Sequence, residues 1–264
     1  MLSTNLVLLM VQGHQSRLQQ LADYLQLPII EAHDNLPENK MPRYVLTIEN
    51  HVLGIKDLHS KAGLVAVDFE AGGTAHRRNQ GRGELIVKAM GGCKQRRPTI
   101  LDVTAGLGRD SFVLASWGFP VNMLERSKIV ASLLADGLVR AQSSANFEIE
   151  DIASQMSLTN ADSIAYLSAL GEQDRPDVIY MDPMFPISKK SALVKKDMQV
   201  FHAVVGKETD DGVELFTLAL EKASYRVVVK RPKKAQYLAG KKPNYSLEGK
   251  AVRFDVYTIK AFSK

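Results

Sequence analysis

The peptide Asp182-Pro183-Met184-Phe185-Pro186 directly follows the apolar run Asp177-Val178-Ile179-Tyr180-Met181. A carboxylate followed by proline and an aromatic, placed where a buried parallel strand should end, suits a site that holds a flat amine for methylation. Pro183 fixes its own φ and biases Asp182 toward extended geometry, so the Asp182 carbonyl can project into the crevice beyond the strand. Asp182 and Pro183 then frame the amine, and Phe185 offers a ring face to a base. A proline-rich turn closing a strand is the plainer reading of the same peptide. Residues upstream shift the balance.

The segment Thr99-Ile100-Leu101-Asp102-Val103-Thr104-Ala105-Gly106-Leu107-Gly108-Arg109-Asp110-Ser111 reads as strand, glycine turn and helix start. Gly106 and Gly108 let the backbone approach a ligand, and the helix start can receive an anionic group. A second apolar strand, Val121-Asn122-Met123-Leu124, ends in Glu125, 19 residues after Gly106. An acid there can accept hydrogen bonds from ribose hydroxyls; its plainer reading is a solvated strand-end charge. Asp162 follows a third strand around Leu158. It can accept from an adenine amino group, cap the helix that starts at Ser163, or do both.

NAD and S-adenosylmethionine share this logic. Ser111 stands where the dinucleotide fingerprint wants Gly or Ala, which favours the latter cofactor. Tyr237 and Lys241 have the Tyr-x-x-x-Lys spacing of short-chain dehydrogenases, but they sit in a Lys/Pro-rich loop and are read as coincidence.

The order Asp102-Val103-Thr104-Ala105-Gly106-Leu107-Gly108-Arg109-Asp110, Leu124-Glu125-Arg126, Asp182-Pro183-Met184-Phe185-Pro186 and Val229-Lys230-Arg231-Pro232 resembles the ribosomal RNA small-subunit methyltransferase J family from about Val65 onward. The resemblance implies a class I methyltransferase fold and S-adenosylmethionine as cofactor. It also implies methylation of the 2-amino group of one guanosine near the 3′ end of 16S rRNA. By motif, Arg109, Asp110, Glu125, Arg126, Asp162, Ser163 and Asp182 would bind the cofactor, beside Gly106 and Gly108. Asp182, Pro183 and Phe185 would act on the base.

The elements that must position these residues fall into two parts. Residues 1–75 read as a small α+β accessory domain, with strands near 6–11, 45–49, 52–56 and 64–69, a helix near 15–27 and a hairpin turn at Asn50-His51. Residues 76–98 read as a basic linker or substrate-contacting segment. Residues 99–264 alternate strand and helix through Leu101, Met123, Leu158, Ile179 and Val228, as a doubly wound Rossmann-like α/β sheet requires. After Glu125, Ile129, Val130, Leu133, Leu134 and Leu138 recur at helical spacing as core residues. The period-two ending Ala251-Val252-Arg253-Phe254-Asp255-Val256-Tyr257-Thr258-Ile259 predicts an antiparallel last strand.

The chain has 264 residues, 45% of them hydrophobic, enough to bury a full core plus a small accessory one. One cysteine, Cys93, excludes an intramolecular disulfide and suits a reducing compartment, so a cytoplasmic location is expected. No apolar run reaches membrane length, and no metal is expected. The net charge is +5, yet residues 76–97 carry +6 and residues 226–264 carry +9, leaving −10 elsewhere. Such separation favours a basic face for a polyanion over uniformly solvated lysines. Arg77, Arg78, Arg82, Lys230, Arg231, Lys233, Lys234, Lys241 and Lys242 are its candidate RNA contacts, with Tyr237 and Tyr245 interleaved for base stacking. The expected partner is 16S rRNA or the small ribosomal subunit. An amino methyltransferase acting on protein glutamine or DNA adenine, or a non-catalytic ribosome-assembly factor, are the alternatives.

Overall fold

The structure, a computed structural model, describes residues 6–31, 42–61, 63–70, 84–91, 97–183, 204 and 211–262. Two compact units separate near Val67.

The first unit contains β1 (Leu6–Met10), α1 (Gln15–Leu25), β2 (Ile29–Glu31), β3 (Tyr44–Glu49) and β4 (Val52–Asp57). They form a sheet in the order β2-β1-β3-β4, with β1 parallel to both neighbours and β3 antiparallel to β4. Leu18, Ala22 and Leu25 of α1 are buried, the spacing of one helix face. Asn50 and His51 have φ of 49° and 65°, the pair of left-handed residues that a two-residue hairpin needs, so the expected turn forms between β3 and β4. Residues 64–69 do not form the expected strand. Val65 makes an isolated bridge to Ile55, and period-two burial without a ladder partner is not enough to make a strand.

In the second unit the elements are α2 (Glu84–Met90), β5 (Ile100–Asp102), α3 (Arg109–Ala115), β6 (Val121–Glu125), α4 (Lys128–Gln142), α5 (Phe147–Ser154), β7 (Met156–Asn160), α6 (Ser163–Ala169), β8 (Val178–Met181), α7 (Gly212–Lys222), β9 (Arg226–Pro232), β10 (Tyr245–Glu248) and β11 (Val252–Thr258). Their seven strands run β10-β11-β9-β8-β5-β6-β7. Strands β7, β6, β5, β8 and β9 are parallel, and β11 inserts antiparallel between β9 and β10. This is the class I methyltransferase sheet with the antiparallel last strand expected from the period-two ending.

Every residue of β8 is buried, as a central parallel strand covered on both faces must be. Ile129, Val130, Leu133, Leu134 and Leu138 of α4 are buried, matching their helical spacing. Helix α2 lies inside the segment expected to be a linker or a substrate-contacting stretch; its Ala89 carbonyl accepts from Arg226 of β9 at 3.2 Å. Ile86, Ala89 and Met90 are buried, so this stretch of the basic segment is packed structure. Among the described residues no helix is long and apolar enough to cross a membrane.

Candidate functional site

The chain runs outward from β5 to β6 and β7, then reverses through β8 and β9, so the carboxyl ends of β5 and β8 flank the switch point where such sheets bind ligands. Asp102 ends β5, Glu125 ends β6 and Asp182 follows β8, which brings three carboxylates to this edge. The glycine loop between β5 and α3 is tied to both neighbouring strands. Val103 N–H donates to the Tyr180 carbonyl and Ala105 N–H to the Leu124 carbonyl, each at 3.1 Å.

The two loop glycines serve different ends. Gly108, at φ 68°, has no room for a Cβ, which would lie 2.7 Å from Leu134 Cδ1 and 3.3 Å from Phe69 Cζ. Gly106, at φ 54°, would place its Cβ with nothing within 4 Å. Packing demands glycine at 108. At 106 the bare backbone faces open space that a cofactor can approach.

Asp102 is the organiser that sequence reading missed. Its carboxylate accepts from Thr104 N–H at 3.0 Å and from the buried Ser111 hydroxyl at 2.5 Å, pinning both ends of the loop. Burial pushes the Asp102 carboxyl up to about 7 against those two hydrogen bonds, with the charges of Asp110 and Asp182 adding to the rise. The signal available in the sequence was an acid inside an apolar strand. Glu125 Oε2 accepts from Gly106 N–H at 3.0 Å and Oε1 from Ser127 N–H at 2.7 Å, so the acid expected to meet ribose also holds the glycine loop. Asp162 caps α6 through Ala165 N–H at 2.9 Å, while Ser163, buried, donates to the Val103 carbonyl at 2.7 Å. The capping role is present and keeps Asp162 at the end of β7, beside the same edge.

A second cluster surrounds Asp182. Its N–H donates to Thr104 Oγ1 at 2.7 Å, joining the start of the Asp182-Pro183 turn to the glycine loop. Lys230 Nζ lies 2.7 Å from Asp182 Oδ2 and 2.6 Å from Asp110 Oδ2, and the Tyr180 hydroxyl donates to that same Asp110 oxygen at 2.7 Å. Burial, followed by the Asp110 and Asp182 charges, raises Tyr180 well above its ordinary range, so it stays a donor. Arg126 pairs with Asp211 at 2.6 Å, and Arg109 opens α3 beside Asp110.

Two expected RNA contacts are placed elsewhere. Lys230 turns into the carboxylate cluster. Arg231 is 5% exposed, and its guanidinium donates to the Gln236 carbonyl at 2.5 and 3.1 Å. Burial, then the neighbouring Arg253, lowers Arg231 from the ordinary arginine value. Alternation along β9 explains the miss: residues adjacent in sequence face opposite sides of the sheet, and both sides are covered here. Lys233, Lys234, Lys241 and Lys242 are exposed. Lys233 pairs with Glu248 at 3.0 Å near the carboxyl end of β9. The Lys241 carbonyl accepts from the Tyr257 hydroxyl at 2.8 Å. Phe185, Arg77, Arg78, Arg82 and Cys93 lie outside the described residues.

Comparison with known proteins agrees with this geometry. Residues 29–259 match the family model described as a putative SAM-dependent methyltransferase. The chain is 45% identical over 251 residues to a ribosomal RNA small subunit methyltransferase J of Coxiella burnetii, covering 94% of each chain. It is 46% identical over 223 residues to the protein of that name from Cellvibrio japonicus, covering 82% of this chain and 84% of the other. The crystal structure of a SAM-dependent methyltransferase from Neisseria gonorrhoeae superposes with a TM-score of 0.73 at 37% identity, covering 96% of this chain and 95% of that one. Strand-end acids, an open glycine loop and relatives matched over nearly their whole length agree: the chain belongs to the ribosomal RNA small subunit methyltransferase J family of S-adenosylmethionine-dependent methyltransferases.

Proposed function

We propose that this enzyme methylates the exocyclic 2-amino group of a guanosine in the 3′ region of 16S rRNA, acting in the cytoplasm on the rRNA or the small ribosomal subunit. Its relatives' names supply the rRNA substrate class. The observation that carries the amine is Asp182, anchored through its own N–H to Thr104 at the switch point and 40% exposed at its side chain.

The open loop at Gly106, the Glu125 carboxylate beside it and Asp162 at the end of β7 fit S-adenosylmethionine, with Arg109, Asp110, Arg126 and Ser163 around them. Bound there, the cofactor supplies an electrophilic methyl group. The protein's task is to align the amine. The guanine amino lone pair is delocalised into the purine ring, so the site must orient the nitrogen and stabilise its growing positive charge. The Asp182 carboxylate and the Asp182 carbonyl accept the two amine N–H groups, and Pro183 restricts the geometry between those acceptors. Methylation makes the nitrogen acidic, and its proton passes afterward to Asp182 or to water. Phe185 stacks the base, which must leave its helix if it is paired.

Mass spectrometry of 16S rRNA from cells lacking the protein should show loss of one N2-methylguanosine, restored by the wild-type protein. Asp182→Ala should slow single-turnover methyl transfer about a hundredfold or more while RNA binding holds, because the aligned acceptors matter most in the transition state. An intact modification in the deleted strain rules out the guanosine assignment.

A further inference from the structure

Asp110, Tyr180, Asp182 and Lys230 come from α3, β8, the turn after β8, and β9, and they meet as one connected group. One ammonium serves two carboxylates there, at 2.6 and 2.7 Å, from a Lys230 side chain that is 16% exposed. An ionised Asp110 held this near Asp182 favours protonation of one of the pair unless a cation offsets it. A protonated Asp182 would present an O–H donor toward an amine that needs acceptors.

We propose that Lys230 is a positioning residue for methyl transfer: its ammonium bridges Asp110 to Asp182, holding the Asp182 carboxylate ionised and oriented to accept from the substrate amine. This rests on the amine-methylating role proposed above for Asp182. Burial pulls the Lys230 ammonium down, but the Asp110 and Asp182 charges outweigh it and raise the group above the ordinary lysine value, so the bridge is cationic at neutral pH. Among the described residues, the other titratable groups facing the pair are Asp102 at the end of β5 and Tyr180 on β8. Tyr180 gives Asp110 a second donor, which holds that carboxylate in place while Lys230 reaches across to Asp182.

The test is single-turnover methyl transfer by the full-length enzyme to small subunits from the deleted strain, from about pH 4 to about pH 9, a range that reaches the carboxylate region where an Asp182 limb falls, well below the Asp102 titration at about 7. Lys230→Met should slow transfer about tenfold or more at neutral pH and move the acid limb upward by about one unit, while calorimetry shows S-adenosylmethionine affinity within about threefold. Lys230→Arg should bring the limb back, and Asp110→Asn in the Lys230→Met background should lower it again by removing the competing carboxylate. A folded Lys230→Met enzyme with the wild-type limb, or a shift that Lys230→Arg does not reverse, overturns the proposal. Should Lys230→Met fail to fold, Asp110→Asn alone decides: the limb must move to lower pH, and an unmoved limb overturns the bridge. Wild-type protein that methylates a different amine defeats the guanosine assignment instead, and leaves the Lys230 variants readable on that amine.

Discussion

Asp102, Glu125 and Asp182 place the same functional group in three environments, and each environment sets its chemistry. Asp102 is 2% exposed and carries a carboxyl raised from 3.8 to about 7. Because the folded value lies above the unfolded one, the stability associated with Asp102 is fully present below about pH 4 and is lost as pH rises toward 7, on the order of 4 kcal/mol in all. Asp102→Asn has no proton to lose, so its urea midpoint relative to wild type should rise between about pH 4 and about pH 8. A pH-independent difference would place the charge elsewhere. Glu125 acts through hydrogen bonds at the loop. Glu125→Ala should weaken S-adenosylmethionine by about 1.5–3 kcal/mol, or roughly ten- to hundredfold, read by calorimetry. An unchanged dissociation constant in a folded variant would remove Glu125 from the cofactor site.

The element that would carry the proposed cofactor site is the turn from β5 into α3. α3 spans just Arg109–Ala115, and residues 111 to 115 are all buried, so the turn geometry is set by tertiary packing more than by helix propensity. Gly108→Ala should destabilise the protein by about 1–3 kcal/mol, since it adds both left-handed strain and a clash with Leu134. Gly106→Ala carries the strain without the clash, so its unfolding midpoint should fall less while its cofactor affinity falls more. Equal midpoints for the two variants would contradict this division. Both glycines were evident from their place after an apolar strand. Which of them served packing was not, because Leu134 and Phe69 are distant in sequence and meet Gly108 only in the fold.

At the scale of the molecule, basic charge is concentrated late in the chain: residues 226–264 carry +9, against a net +5 for the whole. The fold then divides it. Lys230 and Arg231 are taken up internally, whereas Lys233, Lys234, Lys241 and Lys242 stay exposed. If the carboxyl edge meets the rRNA, replacing Lys233 and Lys234 by Gln should flatten the salt dependence of RNA binding by about 0.7 in log–log slope for each phosphate no longer neutralised. Replacing Lys241 and Lys242 should flatten it likewise, and cofactor affinity should hold in both. Fluorescence anisotropy across a salt series measures this; wild-type slopes in both variants would show the lysines merely solvated.

Local pattern was enough for the parallel strands, for the α4 core face from Ile129 to Leu138, for the Asn50-His51 turn and for the antiparallel last strand. In each, burial period or positive φ is a property of neighbouring residues. The strand-end acids Glu125 and Asp182 were legible for the same reason: a charge that closes an apolar run must lie at a sheet edge. Tertiary structure alone decided what the carboxylates and cations touch. Lys230 reaches Asp110 across 120 residues, Asp182 is anchored to Thr104 across 78, and residues 64–69 alternate in burial yet find no ladder. Contacts of that separation are set by strand order and register, and neither is encoded in the spacing of the residues that make them.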